Sequence, residues 1–393
     1  MSSEAAEVHG RCEPRFESLR RALADTIEAG SEVGAALAVY VGKQSVVDLW
    51  AGHTDSARTR PWVEDTIVNL YSVGKAVTAV CALRLVESGA LDLDSPVSRY
   101  WPEFAQAGKK HLPVRYLLTH QAGLPAVFRE LPDGAVLQWD VMTEALATQE
   151  PWWKPGEGHG YHVNTYGFFI GEVVRRVTGK SLGVYLRDEI ARPAGVDFFI
   201  GFGPELDARC ADIIPPLPAP DGEQRRVLLE GDLAALTGLS RMRAGAYRNP
   251  PNLSGHGIVN TREWRAAEVP STNGHGNARA VARLYAALAS DGRLDGVHIL
   301  SPATVEMAIA EQVYGEDLVL QRPTRFGLGF QLTMRERPLG PNPRSFGHFG
   351  AGGSLGFADP DAQVAFAYAM NQGREGWQHK HVRHLIDQVY AAL

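Results

Sequence analysis

Ser72 and Lys75 stand three residues apart where a short apolar run meets a long apolar helix, in the stretch Tyr71-Ser72-Val73-Gly74-Lys75. Side chains at i and i+3 share one helix face. At a helix start the first backbone N–H groups are free and the helix end is partly positive. A serine there has an amine beside its hydroxyl and its own N–H open to an oxyanion. The residues that follow (AVTAVCALRLVES) are too apolar for a surface helix, so the pattern predicts a buried helix over 72–88, stopped by Gly89. A lysine at such a start is costly unless neutral or partnered, and the helix end disfavours the cation. Both effects suit a base. S-x-x-K also recurs by chance, and an N-cap serine with an exposed lysine one turn later fits the same spacing.

Two further segments carry candidate groups. Residues 158–167 (GHGYHVNTYG) precede a helix predicted over 168–178. Tyr161 there would act as a base only with its pKa brought below the usual value near 10, which an adjacent Lys75 would supply. On the residues alone, Tyr161 or Tyr166 packed with a satisfied hydroxyl fits as well. Residues 348–353 (HFGAGG) lie between two strand-like runs. Glycine-rich strand edges let backbone approach a ligand, so an N–H there is a candidate second oxyanion donor, and a plain hairpin is the other reading. Gly352-Gly353-Ser354-Leu355-Gly356 matches G-x-S-x-G, but that elbow needs a helix after the serine. A turn and a strand follow here, so Ser354 is not expected to be a nucleophile.

These groups need a scaffold. Residues 14–29 read as an amphipathic helix, and 35–41 with 45–51 as a hairpin. From about 95 to 280 helical patterns dominate, with Pro/Gly-rich connectors at 215–223 and 247–257. A helix is predicted over 278–290, strands over 327–334, 345–349, 355–358 and 363–370, and a closing helix over 377–391. The chain thus reads as α/β of the α+β type: residues 1–95 and 280–393 form a unit with an antiparallel sheet, and 96–279 a mostly helical unit. The site is expected at the seam.

The chain has 393 residues, 45% hydrophobic and 21% charged, with net charge −6. That balance excludes an electrostatic grip on nucleic acid or an anionic membrane. No apolar stretch approaches the roughly 18–20 residues needed to span a bilayer. Cys12, Cys81 and Cys210 show no C-x-x-C or zinc pattern. The polar start lacks a signal-peptide h-region, so a cytoplasmic protein is expected. His379, His381 and His384 share the last helix without a carboxylate set, so they read as a solvated face and no metal is expected.

Taken in order, the three segments resemble the serine β-lactamase/penicillin-binding-protein superfamily, within it the β-lactamase-like carboxylesterases of family VIII. Residues 117–125 (LLTHQAGLP) are similar to that family's LLTHTSGLP stretch, and 273–288 to the helix before the second half of its sheet. The resemblance spans about 14–392. It implies a β-lactamase/DD-peptidase-like fold, Ser72 as acylated nucleophile, Lys75 as its activator and Tyr161 as general base and proton relay. It implies Ser72 and Ala351 as the oxyanion donors, and His348-Phe349-Gly350 in place of the Lys-Thr-Gly strand. His348, Phe349, Gly350, Gln121 and Trp153 are then assigned to the substrate. Trp152, Trp153 and the 247–257 loop are expected around the acyl group. Val163 stands where β-lactamases use Asn, with Asn164 one place late, and both Lys and Thr of the strand motif are gone. A site that has lost its anion-binding groups suits neutral esters. The expected activity is hydrolysis of short-chain carboxylic esters without cofactor. A β-lactamase or DD-peptidase, and a non-catalytic binding protein on the same scaffold, remain as alternatives.

Overall fold

The computed structural model describes residues 6–216, 232–374 and 378–393. Nine strands form one antiparallel sheet. In chain order they are β1 (Val8–Cys12), β2 (Gly34–Val41), β3 (Gln44–Gly52), β4 (Val313–Glu316), β5 (Pro323–Phe326), β6 (Gln331–Leu332), β7 (Phe346–Phe349), β8 (Leu355–Asp359) and β9 (Val364–Met370). Their spatial order is β1-β3-β2-β9-β8-β7-β6-β5-β4. Strands from the two ends of the chain therefore meet at the centre, with Ala35 opposite Met370 and Val41 opposite Val364.

Period-two alternation decides which residues face which layer. On β2, Leu37 and Val39 join a core with Phe16 just ahead of α1 (Glu17–Glu28), Leu19 and Leu23 of α1, and Val382, Leu385 and Ile386 of the C-terminal helix (Lys380–Ala391). The opposite face of β2 and β9 carries Ala36, Ala38, Ala365, Ala367 and Ala369. Such small side chains let a helix pack close, and Ala278–Leu288 lies against β2, β9 and β8. At Gly356 of β8 a Cβ would sit 2.4 Å from Val281 of that helix, so no larger residue fits.

The second core runs from this alanine face through α2 (Val73–Glu87) into the helical region. Every residue of α2 from Val73 to Leu83 is buried, which explains why its sequence is apolar on all sides. It packs on α3 (Thr165–Thr178), whose Phe168, Phe169 and Val173 are buried in the same core. Burying each such side chain contributes roughly 1.5–3 kcal/mol.

The predicted hairpin, the 72–88 helix and the strands near 346, 355 and 364 form within a residue or two of expectation. The run at 327–334 keeps only Gln331–Leu332 as strand. Gly329 there has φ +83, and a Cβ on it would meet Ala79 at 2.3 Å, so the backbone bends against α2 instead of pairing. Strands β1, β4 and β5 were not expected. They lie at or next to the sheet edges, where one face meets solvent and little apolar alternation is needed. Pro215 and Pro216 are the described part of the 215–223 connector, and Trp377, the expected start of the last helix, lies outside the described residues. Among the described residues no helix is long and apolar enough to cross a membrane.

Candidate active site

The chain reaches Ser72 from the two-residue strand Val68–Asn69, which pairs with His275–Gly276. Tyr71 then takes φ +49, a left-handed conformation that a bulky residue adopts only when its surroundings enforce it. The turn sets Ser72 at the N-cap position of α2. Lys75 follows on the same face, 1% exposed. Its Nζ stands 3.0 Å from Ser72 Oγ, 2.6 Å from the Val163 carbonyl and 3.0 Å from the Ser271 carbonyl. Burial holds its pKa well below the ordinary lysine value. A neutral amine has two N–H donors and one lone pair, which matches two carbonyls and one hydroxyl.

This neutral lysine leaves a signature in stability. In the unfolded chain the amine keeps its proton up to about pH 10.4, whereas in the fold it does not. Between the lowered folded value and that limit the unfolded state holds the extra proton, so stability rises with pH. In paired urea titrations, wild-type unfolding free energy minus that of Lys75→Met is expected to grow by about 1.4 kcal/mol per pH unit inside this window. A flat difference between pH 8 and 10 would mean the buried amine is charged.

Tyr161 is fully buried. Its ring lies 4.9 Å from Lys75 Nζ, stacks on Phe326 at 6.0 Å and meets the edge of His120 at 4.9 Å. The phenol is pushed well above its ordinary value, chiefly by burial, with its hydrogen bond to Ser72 working the other way. The expectation that Lys75 would draw the phenol down is therefore corrected. The lysine is itself uncharged through burial, so no cation stands by to favour a phenolate. The resting pair is amine and phenol.

Ser72 opens onto a cavity of about 550 Å³. Ala351 reaches the same cavity from the turn after β7; Asn164, Thr272, Tyr247 at the end of the helix Gly238–Arg248, and Ser254 from the loop that follows also line it. Ile213, Pro215, Pro216 and Val259 supply an apolar wall. The Asn164 amide is engaged within the protein: its Nδ2 donates to the Ala246 carbonyl at 2.8 Å and Ser254 Oγ at 2.9 Å, and its Oδ1 accepts from Thr272 Oγ1 at 2.7 Å. The strand-end glycine has a steric reason. A Cβ on Gly350 would lie 2.0 Å from Ser354 Oγ and 2.4 Å from the Leu70 carbonyl. Ser354 is fully buried, donates to that Leu70 carbonyl at 2.9 Å and is followed by strand β8. The G-x-S-x-G segment is thus a clasp on the approach to Ser72.

The other residues assigned to the substrate do not line this cavity. His348 is 1% exposed, its Nδ1 bound to the Phe349 carbonyl at 2.7 Å, and its ring centre is 6.0 Å from that of Tyr161. Burial, the largest cause, lowers its pKa to about 3, so it is neutral, not a part-time cation. Alternation turns the Phe349 side chain to the opposite face of the sheet, into the core with α1. Gln121 accepts from Thr119 Oγ1 at 2.8 Å. Trp153 and Trp152 donate to the carbonyls of Gly158 (3.1 Å) and Ala126 (2.8 Å), bracing the connector rather than the pocket. His381 bonds Glu32 at 3.1 Å and His384 bonds Gln388 at 2.5 Å, and among the described residues no His/Cys/Asp/Glu group is arranged to hold a metal. Sequence reasoning missed the Val163 and Ser271 carbonyls, which no side-chain motif can signal.

Known proteins resemble this chain along nearly its whole length. A family model described as Beta-lactamase matches residues 19–391. The esterase/beta-lactamase LipL of Mycobacterium tuberculosis is 35% identical over 371 residues, 93% of this chain and 83% of that protein. A solved structure described as a family VIII carboxylesterase has a TM-score of 0.89 and 39% identity, covering 98% of this chain and 100% of its own. A penicillin-binding protein homologue from Caulobacter crescentus has a TM-score of 0.88 and 36% identity, with the same coverage. With a family match running from α1 to the end of the last helix, and Ser72 and Lys75 in contact at the start of α2, the chain belongs to the beta-lactamase family.

Proposed function

We propose that the protein is a serine carboxylesterase that hydrolyses short-chain esters through an acyl-enzyme on Ser72. The observation that carries this reading is the buried Lys75 amine 3.0 Å from Ser72 Oγ at the wall of a largely apolar cavity; burial lowers its pKa, as a base requires. Ser72 Oγ attacks the ester carbonyl while its proton passes to the free Lys75 amine, which later reprotonates Tyr161 once the phenol has given its own proton away. The N–H groups of Ser72 and Ala351 hold the oxyanion, each contributing roughly 3–4 kcal/mol. Tyr161 returns a proton to the departing alcohol, and water activated by the same pair frees the acid. His348 and Phe349 do not replace the lost Lys-Thr pair, and Arg374 on the cavity wall is drawn to the buried Glu32 carboxylate at 3.6 Å, which together fit neutral esters. Access from a seam between the α/β unit (1–95 with 280–393) and the helical unit (96–279) fits this reading, since Ser72 and Ala351 belong to one and Asn164 and Tyr247 to the other. The free thiols of Cys12, Cys81 and Cys210 fit a reducing compartment, and we assign the cytoplasm.

A panel of p-nitrophenyl esters graded by acyl length tests the substrate class, with highest kcat/KM expected for short chains. The name of LipL, esterase/beta-lactamase, supports a second, slower reaction, β-lactam hydrolysis on the same serine. Nitrocefin and a D-Ala-D-Ala peptide assayed beside the esters rank the activities, and a preference for either would replace the esterase reading. Tyr161→Phe is expected to lower kcat by at least ~100-fold, the scale of a lost proton-transfer group. Near-normal turnover in that variant would remove Tyr161 from the reaction.

A further inference from the structure

Tyr161 sits in irregular backbone ahead of α3, so no helix or sheet ladder fixes its phenol. What holds it comes from the far edge of the sheet. Asp317, directly after β4, is fully buried. Its two carboxylate oxygens each lie 3.0 Å from the backbone N of Tyr161, 156 residues away in sequence. Its Oδ1 also accepts the N–H groups of Val319 and Leu320 at 2.9 Å, and its Oδ2 the hydroxyl of Thr324 at 3.1 Å. Because that hydroxyl donates to Asp317, the contact of His159 Nε2 with Thr324 Oγ1 at 2.8 Å has the histidine as donor. The same hairpin supplies Phe326, stacked on the Tyr161 ring within 6° of parallel, and Leu318, whose N–H donates to the His159 carbonyl at 3.0 Å.

The bonds to Val319 and Leu320 are local and would form in any tight turn after β4. The bond to Tyr161 is not local. Burying a carboxylate is expensive, and a neutral residue could tie the turn alone. An acceptor with two oxygens facing one N–H, in a hairpin that also carries the stacking ring, fixes both ends of the tyrosine. We propose that Asp317 is the positioning residue for Tyr161, holding its backbone so that the phenol stays against Ser72 and Lys75. This rests on the reading of Tyr161 as the proton relay. Asp317 touches no substrate and acts through the tyrosine alone.

A double-mutant cycle on p-nitrophenyl butyrate hydrolysis tests this. Asp317→Asn keeps one carbonyl oxygen and the shape of the turn but cannot present two acceptors. It is expected to lower kcat by about 10–100-fold with KM changed less than about twofold, the scale of a misplaced reacting group. In the Tyr161→Phe background the same substitution is expected to produce no further fall in kcat, because coupled residues are not additive. An equal fold-loss in both backgrounds, or no loss with Tyr161 present, overturns the proposal. Thr324→Val removes only one donor to the carboxylate and repeats the cycle at about threefold, so the answer does not depend on Asp317→Asn folding well. A Tyr161→Phe variant with full activity would instead sink the proton-relay reading, a result separable from loss of the Asp317 coupling alone.

Discussion

Ser72→Ala is expected to lower ester hydrolysis by about 10⁴-fold or more, while Ser354→Ala keeps most of it. The first variant removes the hydroxyl that faces the cavity and stands 3.0 Å from the buried Lys75 amine. Loss of a nucleophile in a covalent mechanism falls in this range, the remainder coming from binding and oxyanion donors. Ser354 is shut in the interior with its hydroxyl on the Leu70 carbonyl, and its loss costs about 1 kcal/mol of stability as one buried hydrogen bond. Labelling with a fluorophosphonate followed by peptide mapping checks the assignment directly. The adduct belongs on the Ser72 peptide, and an adduct on Ser354 would reverse the two roles.

Lys75→Met carries the second large effect, a fall in kcat/KM of about 10³-fold, within the range for removing a general base. Methionine has similar length and no amine, so packing against Val163 and Ser271 changes less than chemistry does. Lys75→Arg should fail equally, since guanidinium stays protonated and cannot accept the serine proton. In the wild type, kcat/KM is expected to fall as pH drops through the lowered Lys75 pKa, because only the free amine can take a proton. A Met variant within tenfold of wild type would move the base to another group.

The legible parts of this protein were those where chemistry and packing demand the same residues. The apolar helix over 72–88 and the strand over 363–370, where alanines alternate with Phe366 and Tyr368, are such cases. The pocket was harder. Which face of β7 Phe349 takes depends on sheet register, and whether His348 is a cation depends on burial, neither of which residue type alone decides. Trp153 looks like a pocket residue by size, yet its indole N–H is committed to Gly158. Asp317 gave no signal because its main partner is a backbone N–H in a distant segment. The edge strands were invisible because solvent-facing positions relax the apolar pattern.

The pairing of β2 with β9 has a consequence for how the enzyme is made. Gly34 and Asn371, joined by a hydrogen bond from the former's N–H at 2.9 Å, are 337 residues apart in the chain. At usual elongation rates the ribosome needs roughly 20–70 s to travel that distance. Throughout that time β2 keeps an unpaired edge, and the oily helix bearing the nucleophile has no completed sheet to lie against. The nascent chain should therefore depend on chaperone cover until its last strand emerges, and shortening it at the C-terminus should remove the central strand partner and leave insoluble protein rather than a weaker enzyme.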